Sequence, residues 1–307
     1  MIPWFDERCT IRFQGIFYAR NEGLLNKPLL ICMNKHRSTK ALGQHFLHDA
    51  AIVRRIVKSA NFSPGEHVLE IGPGKGHLTQ ELLNSGAIVK AIEIDKNLVD
   101  GLLNKFTDPT NVIVIHEDAS KRSGADFYRN EESYGLVANL PYNVGTKILR
   151  NFLAGPNPPL YSVVMLQREV ARNIIPLEGK ATILSSFLGA FVSGKFLFSV
   201  KPHSFRPQPK VMSAVIRLNK LLNPTVSLEE SEIYFDFVTS VFRSPRKQIH
   251  NSVSMGLEID PSSARDLLNR CTIEPMRRPG TLNLLELQGL FKGAKELDLL
   301  PSSNRVG

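Results

Sequence analysis

The stretch Val68-Leu69-Glu70-Ile71-Gly72-Pro73-Gly74-Lys75-Gly76-His77-Leu78-Thr79 passes from an apolar run, through three alternating glycines, into a segment of helical character. A short unbroken apolar run suits a strand covered on both faces. Glycine lets the backbone turn sharply and approach a ligand with no Cβ between. The N–H groups that open the following helix favour an anionic group. In an open α/β sheet ligands bind at the carboxyl ends of the strands, so this loop, with Gly72 and Gly74, is the first candidate site. Its spacing is G-x-G-x-G. A dinucleotide fingerprint has the form G-x-G-x-x-G, so the spacing argues against a nicotinamide oxidoreductase.

Outward from the loop, apolar runs and helical stretches alternate. Val68 to Ile71, Ile88 to Ile94, Val112 to Ile115, Leu136 to Ala138 and Val163 to Leu166 read as strands. Leu78 to Asn84, Lys96 to Phe106, Thr146 to Leu153 and Glu169 to Ile175 read as helices. Such alternation predicts an α/β fold, a mostly parallel Rossmann-like sheet with helices on both faces. Upstream, Asp49 reads as the N-cap of a helix through Ser59, whose Ile52, Val53, Ile56 and Val57 form one apolar face. Phe196 to Val200 and Ala214 to Leu218 read as late strands across a Pro-rich link, Pro202 to Pro209. Beyond Asn223-Pro224 the pattern becomes helical, near 228–243, 246–255, 261–270 and 283–291. The domains expected are therefore an extension over 1–34, a catalytic domain over 35–220 and a small all-helical domain over 221–307.

Two acids at later strand ends narrow the ligand. Glu93 closes the second strand, where a carboxylate accepts ribose hydroxyls, and Asp118 follows the third in Glu117-Asp118-Ala119. Glu70 precedes the glycine loop itself. S-adenosyl-L-methionine has a ribose, an adenine amine and an amino-acid ammonium, and no pyrophosphate. Three strand ends in sequence, each with a fitting acid, point to it, although any one acid alone reads as a solvated strand end. The fourth strand then ends in Asn139-Leu140-Pro141-Tyr142. The lone pair of an adenine N6 is delocalised into its ring. The Asn139 side-chain oxygen and the Leu140 carbonyl would hold its N–H groups and turn that lone pair toward a methyl donor. Positioning, with no strong base, is the main contribution expected of the protein. Tyr142 would stack on the base, which must leave its helix to be reached.

The chain has 307 residues and a net charge of +9, a balance that attracts polyanions, nucleic acid above all. Three cysteines (Cys9, Cys32, Cys271) form no C-x-x-C pair, which argues against a structural zinc site or a disulfide framework. No metal site is expected. No apolar run approaches the ~20 residues of a membrane span. Residues 1–34 mix Asp6, Glu7 and Glu22 with bases and fit an organelle transit peptide poorly. They read as an appended tail, or as a start placed too early, with Met33 the alternative first residue. A cytoplasmic location follows, or an organelle if 1–34 is a targeting segment.

Taken together these blocks resemble the adenine-N6 dimethyltransferases of small-subunit ribosomal RNA, from about Lys40 to Leu290. The matching pieces are Leu42 to Leu47, Glu70 to Thr79, Ile92 to Asp95, Glu117 to Ala119, Asn139 to Asn143, Gln167 to Ala171, Phe205 to Val211 and Phe242 to Ser252. The resemblance implies that His45, Leu47, Gly72, Glu93, Asp118 and Asn139 touch the cofactor and that the target base sits between Tyr142 and Phe205. It implies N6,N6-dimethyladenosine at two adjacent adenosines near the 3′ end of the small-subunit RNA. The partner would be the pre-ribosomal small subunit, bound by a monomer, with Arg243, Arg246 and Lys247 on RNA backbone. A sister group methylates large-subunit RNA and confers antibiotic resistance. Ile273-Glu274-Pro275, Arg278-Pro279 and Leu282 resemble the small-subunit enzymes instead. Three departures stand out. Gly179 to Ala190 lacks an aromatic after Lys180-Ala181 and a later glutamine, Gly280 replaces an acid, and His45 stands where asparagine is common. The alternative function is a non-enzymatic nucleic-acid binder or ribosome-assembly factor on the same fold. Loss of the Gly72 loop or of Asn139 would mark it, and both are intact.

Overall fold

The computed structural model describes the backbone of 11–13, 16–18 and 30–32, and residues 45–129, 132–176 and 180–301 in full. Leu42 to Gln44 and Gly179 from the sequence reading lie outside the described residues. The sheet runs β1(Ile11–Phe13)-β2(Ile16–Tyr18)-β3(Leu30–Cys32)-β7(Val112–His116)-β6(Ile88–Glu93)-β5(His67–Ile71)-β8(Gly135–Asn139)-β9(Tyr161–Gln167)-β12(Ser213–Lys220)-β10(Val192–Val200). The pairs β5–β6, β6–β7, β5–β8 and β8–β9 are all parallel. Val68, Leu69, Leu136, Val137, Ala138, Val163 and Val164 are fully buried, as central parallel strands require.

From β5 the chain goes through α2(His77–Asn84) to β6 and through α3(Lys96–Lys105) to β7, and then returns to place β8 on the far side of β5. The strand order thus reverses between β5 and β8, and such a switch point opens a crevice at the carboxyl ends of the strands. α1(Ala50–Ala60) buries Val53, Ile56, Val57 and Ala60, and the Asp49 carboxylate caps it by accepting from the N–H groups of Ala51 and Ile52 at 3.0 and 3.3 Å.

A two-residue strand, β4(Phe46–Leu47), pairs antiparallel with β11(Phe205–Arg206). The His48 N–H donates to the Ser204 carbonyl at 3.0 Å, the Ser204 hydroxyl to Asp49 at 3.0 Å, and His45 Nδ1 to the Pro207 carbonyl at 2.7 Å. This ribbon ties the segment before α1 to the link before β12.

The chain divides into two compact units. The first takes in the chain up to Phe152, Asn157–Arg168 and Leu197–Arg217, and the second Leu153–Pro156, Glu169–Phe196 and the chain from Leu218 onward. The single cut expected at residue 220 is therefore corrected, because α5(Arg168–Ile174) almost entirely and α6(Ile183–Leu188) belong to the second unit. The physical reason lies in that unit's core. Tyr234 and Phe237 of α7(Ser231–Val241) pack edge-on against Phe291 of α10(Leu284–Glu296), with ring centroids 5.0 and 5.3 Å apart. The Tyr234 hydroxyl donates to the Ser186 carbonyl of α6 at 3.2 Å. α8(Ile249–Leu257) and α9(Pro261–Arg270) complete the helical part.

Two departures from the family pattern lie beside α6. Thr182 stands where the aromatic is expected and caps the helix, accepting from the Ser185 N–H at 3.0 Å. The Ala181 N–H donates to the Gly280 carbonyl at 3.0 Å, so the two altered segments meet each other.

Candidate active site

At the switch point the ends of β5, β6, β7 and β8 surround a cleft of about 300 Å3, closed on one side by β4. Everything described here belongs to the first unit. His45, Leu47, Gly72, Gly74, Glu93, Asp118 and Asn139, picked from the sequence for the cofactor, all line this cleft, as do Leu140, Pro141 and Tyr142. Phe205 does not. Its side chain is fully buried in the hydrophobic core behind β11, with Val200 and Val215 in the same cluster. The base-stacking role expected for Phe205 is corrected accordingly, because its ring is enclosed in that core and does not line the cleft.

The glycine loop has the conformation its residues allow. Gly72, Gly74 and Gly76 have φ of +70°, +58° and +71°, a region that side chains disfavour. A Cβ on Gly74 would come within 2.9 Å of the Phe46 ring. The Glu93 carboxylate, 4% exposed, organises this loop from the next strand. It accepts from the Gly74 N–H at 3.1 Å through Oε2, and from Ile94 and Asp95 N–H at 2.9 and 3.1 Å through Oε1. Burial pushes its pKa up, and these three donors oppose that by favouring the anion. His77 Nδ1 donates to the Leu47 carbonyl at 2.9 Å, joining the start of α2 to β4.

Asp118 is the N-cap of a short 3₁₀ turn and accepts from the Ser120 N–H at 3.0 Å. Burial raises its pKa, but the Ser120 bonds and Lys121 outweigh it and hold the group below the usual range. Its neighbour Glu117 is buried and joined to Arg122 at 2.7 Å, while its Oε1 accepts from the Asp118 N–H at 2.8 Å. The Arg122–Glu117 pair therefore sets the Asp118 loop. Glu117 was read in the sequence only as Asp118's neighbour. What ranks it above other acids is a cation five positions on, a weak signal.

Glu70 lines the cleft at 1% exposure, and its Oε2, like the nearby Thr79 hydroxyl, has no partner at hydrogen-bond distance. Burial pushes its pKa up to about 8, opposed by Thr79. The folded protein thus keeps a proton on Glu70 that the unfolded chain releases near the ordinary glutamate value of 4.5. This contribution to stability is complete below that value and is lost as pH rises through about 8. Over the window the slope reaches about 1.4 kcal/mol per pH unit. Glu70→Gln should remove that dependence. Thermal unfolding of the ligand-free protein at pH 6 and pH 8 should show the wild type losing roughly 4–8 °C more than the variant. Equal losses would mean that Glu70 is ionised throughout.

Asn139 ends β8, and its amide Nδ2 donates to the His45 carbonyl at 3.2 Å. That bond leaves Oδ1 as an acceptor on a side chain that lines the cleft. Tyr142 follows in the turn after Pro141. Its hydroxyl is 2.5 Å from Ser213 Oγ, and its ring lies 5.6 Å from the His45 ring, centroid to centroid, at 35°. His45 and Tyr142 are too close for a base to pass between them. Among the described residues no group of His, Cys, Asp and Glu could hold a metal ion, and no helix is long and apolar enough to cross a membrane.

A doubly wound sheet with a G-x-G-x-G loop at its switch point, an acid at the end of each of two strands and Asn-Leu-Pro-Tyr at the end of a third define an S-adenosylmethionine-dependent methyltransferase. The cleft suits that cofactor on its own evidence, with an unpartnered buried carboxylate oxygen beside a loop where a Cβ on Gly74 would collide. Residues 35–286 match the model of the ribosomal RNA adenine dimethylase family. The chain belongs to that family and is an S-adenosylmethionine-dependent ribosomal RNA adenine dimethyltransferase. It is 37% identical over 258 residues to the ribosomal RNA small subunit methyltransferase A of Dehalococcoides mccartyi, covering 83% of this chain and 87% of the relative. The Clostridium botulinum protein of the same name is 35% identical over 267 residues, covering 85% and 96%. Among solved structures, a dimethyladenosine transferase from Plasmodium falciparum superposes with a TM-score of 0.67 at 21% identity, covering 82% of this chain and 98% of the other. The 23S rRNA methyltransferase ErmE gives 0.63 at 24%, covering 81% and 99%. Both support the fold.

Proposed function

We propose that the chain dimethylates N6 of two adjacent adenosines near the 3′ end of small-subunit ribosomal RNA, as a cytoplasmic monomer acting on the assembling subunit. Identity with the small-subunit relatives, at 35–37% over most of the chain, supports the small subunit as target. The observation that carries the chemistry is the Asn139 amide tied to the His45 carbonyl, which leaves Oδ1 for a substrate amine.

The residues divide the work as follows. Gly72 and Gly74 leave room for the backbone to approach the cofactor, with His45 and Leu47 on the β4 side. Glu93 would accept hydrogen bonds from its ribose hydroxyls and Asp118 one from its adenine amine, and Glu70 would face its ammonium. The bound cofactor supplies an electrophilic methyl group on a sulfonium. Asn139 Oδ1 and the Leu140 carbonyl accept the two N–H bonds of the target amine, and Pro141 fixes the turn between them and Tyr142. Held by two acceptors, the nitrogen directs its lone pair out of the ring conjugation. Its excess proton leaves to solvent after transfer, and no residue with a strong base is needed. Tyr142 stacks on the base from one side, with no aromatic opposite it from Phe205. In the second unit Arg243, Arg246 and Lys247 are exposed around the turn between α7 and α8 and suit contacts with phosphates.

The test is transfer from labelled S-adenosylmethionine to unmodified small subunits, with large subunits as a parallel substrate and the modified nucleoside mapped by mass spectrometry. Dimethyladenosine at adjacent positions near the small-subunit RNA end is the expected result. Transfer to large subunits alone, or binding of both ligands without transfer, would overturn the proposal.

A further inference from the structure

We infer that Ser213 is a positioning residue for methyl transfer: its hydroxyl anchors the Tyr142 hydroxyl and so sets the position of the ring on which the target base stacks. The inference rests on the reading of Tyr142 as the base platform.

Tyr142 sits in the turn between β8 and α4(Gly145–Leu153), so no strand pairing restrains its side chain. Its ring is part-buried and faces the cleft. Ser213 is its opposite in every respect. It is the first residue of β12, 0% exposed, and followed by the fully buried Ala214, Val215 and Ile216. The strand start is itself fixed, since the Arg168 N–H donates to the Met212 carbonyl at 2.9 Å and Arg168 Nη1 approaches Met212 Sδ at 3.5 Å. A buried hydroxyl in an apolar strand is costly unless bonded. Among the described residues the partner of Ser213 Oγ is the Tyr142 hydroxyl, 2.5 Å away.

One bond from a rigid strand to the far end of a ring restrains χ1 of Tyr142 and holds the ring axis in place. The ring position is then set before the base arrives, and less ordering remains to be done on binding. A platform swung away from this position would move the amine off the line to the methyl donor, to which transfer is sensitive. The proposed cofactor contacts of Gly72, Gly74, Glu93 and Asp118 lie elsewhere in the cleft, at the ends of β5, β6 and β7, and of the others His45 is the one whose ring neighbours Tyr142. Loss of the anchor should therefore act on RNA turnover and leave cofactor affinity alone.

The experiment is a double-mutant cycle of Ser213→Ala and Tyr142→Phe in the full chain. It reads kcat and KM for unmodified small subunits and Kd for S-adenosylmethionine, with thermal unfolding as a check on folding. Each single change should lower kcat/KM for RNA by roughly tenfold, and the double should be no worse than the weaker single variant. Cofactor Kd should change by less than about twofold, and Ser213→Thr should restore most of the activity. Wild-type turnover in Ser213→Ala, losses that multiply in the double, or a parallel loss of cofactor affinity would each overturn the inference. Should Ser213→Ala not fold, Ser213→Cys takes its place in the cycle under the same outcomes. Tyr142→Ala run alongside separates the two levels. If it turns over like wild type, the base-platform reading itself falls. If it is inactive while the cycle is multiplicative, only the anchor falls.

Discussion

Asn139→Ala should slow methyl transfer at saturating substrates by about 10³-fold, a rise of roughly 4 kcal/mol in the barrier. The variant loses the side-chain acceptor that holds one N–H of the target amine. The lone pair then returns to conjugation with the adenine ring for most of the time. Asn139 also donates to the His45 carbonyl. Alanine therefore frees the segment before β4, and a small loss of cofactor affinity, about threefold or less, accompanies the large loss of rate. Single-turnover rates with bound cofactor and RNA, together with a direct cofactor titration, separate the two effects. Asn139→Asp is a useful companion, since a carboxylate keeps the acceptor but repels the His45 carbonyl. Wild-type single-turnover rates in Asn139→Ala would remove this residue from the chemistry.

Glu93→Ala should have the larger effect on binding, raising the cofactor Kd by about 100-fold or more. The carboxylate does two things at once. Three backbone N–H groups, of Gly74, Ile94 and Asp95, are bonded to it. In the proposed complex its remaining lone pairs also receive the ribose hydroxyls. Its removal leaves the loop donors without their acceptor, at about 1–3 kcal/mol for each that water fails to reach. The unfolding temperature should fall alongside affinity. Glu93→Gln should be intermediate in stability, because its NH2 group must face one of the backbone donors. An isothermal titration of Glu93→Ala that matched the wild type would sink the assignment.

Much of the fold was legible because its signals are local. Five largely apolar strands and the helices between them come from runs that a period of 3.6 or a mostly apolar stretch reveals. The helix over Ala50–Ala60 was announced by Asp49 and one apolar face. The glycine loop, Glu93, Asp118 and Asn139 could be placed because each ends a strand, and parallel strands bring their ends to one edge. What escaped was non-local. β4 and β11 are two residues each, too short to carry any period, and they find each other across some 160 positions. Ser213 lies just before the strand read at Ala214 to Leu218 and carries no signal of its own in the sequence, and only the fold brings Tyr142 within reach of it. Phe205 was misread for a related reason. Its motif was recognisable, but which way a side chain points from a two-residue strand depends on the partner it pairs with. α6 was missed because Ile183–Leu188 spans fewer than two turns, and only its Thr182 cap marks it.

The β4–β11 ribbon also dictates an order of events during synthesis. The glycine loop, Glu93, Asp118 and Asn139 are all present once about the first 140 residues have emerged, and the strands that bear them pair with near neighbours in sequence. β4, which closes the cleft and lies over Gly74, is bonded to His77 and Asn139 as well, but its strand partner lies within residues 204–207. Closing so long a loop is slow compared with pairing adjacent strands. A nascent chain therefore assembles the crevice first and completes the strand pairing of its β4 wall only after about two-thirds of its length has been made. An enzyme whose substrate is part of the ribosome is thereby kept from completing its cofactor cleft until most of it has left the tunnel of the ribosome that makes it.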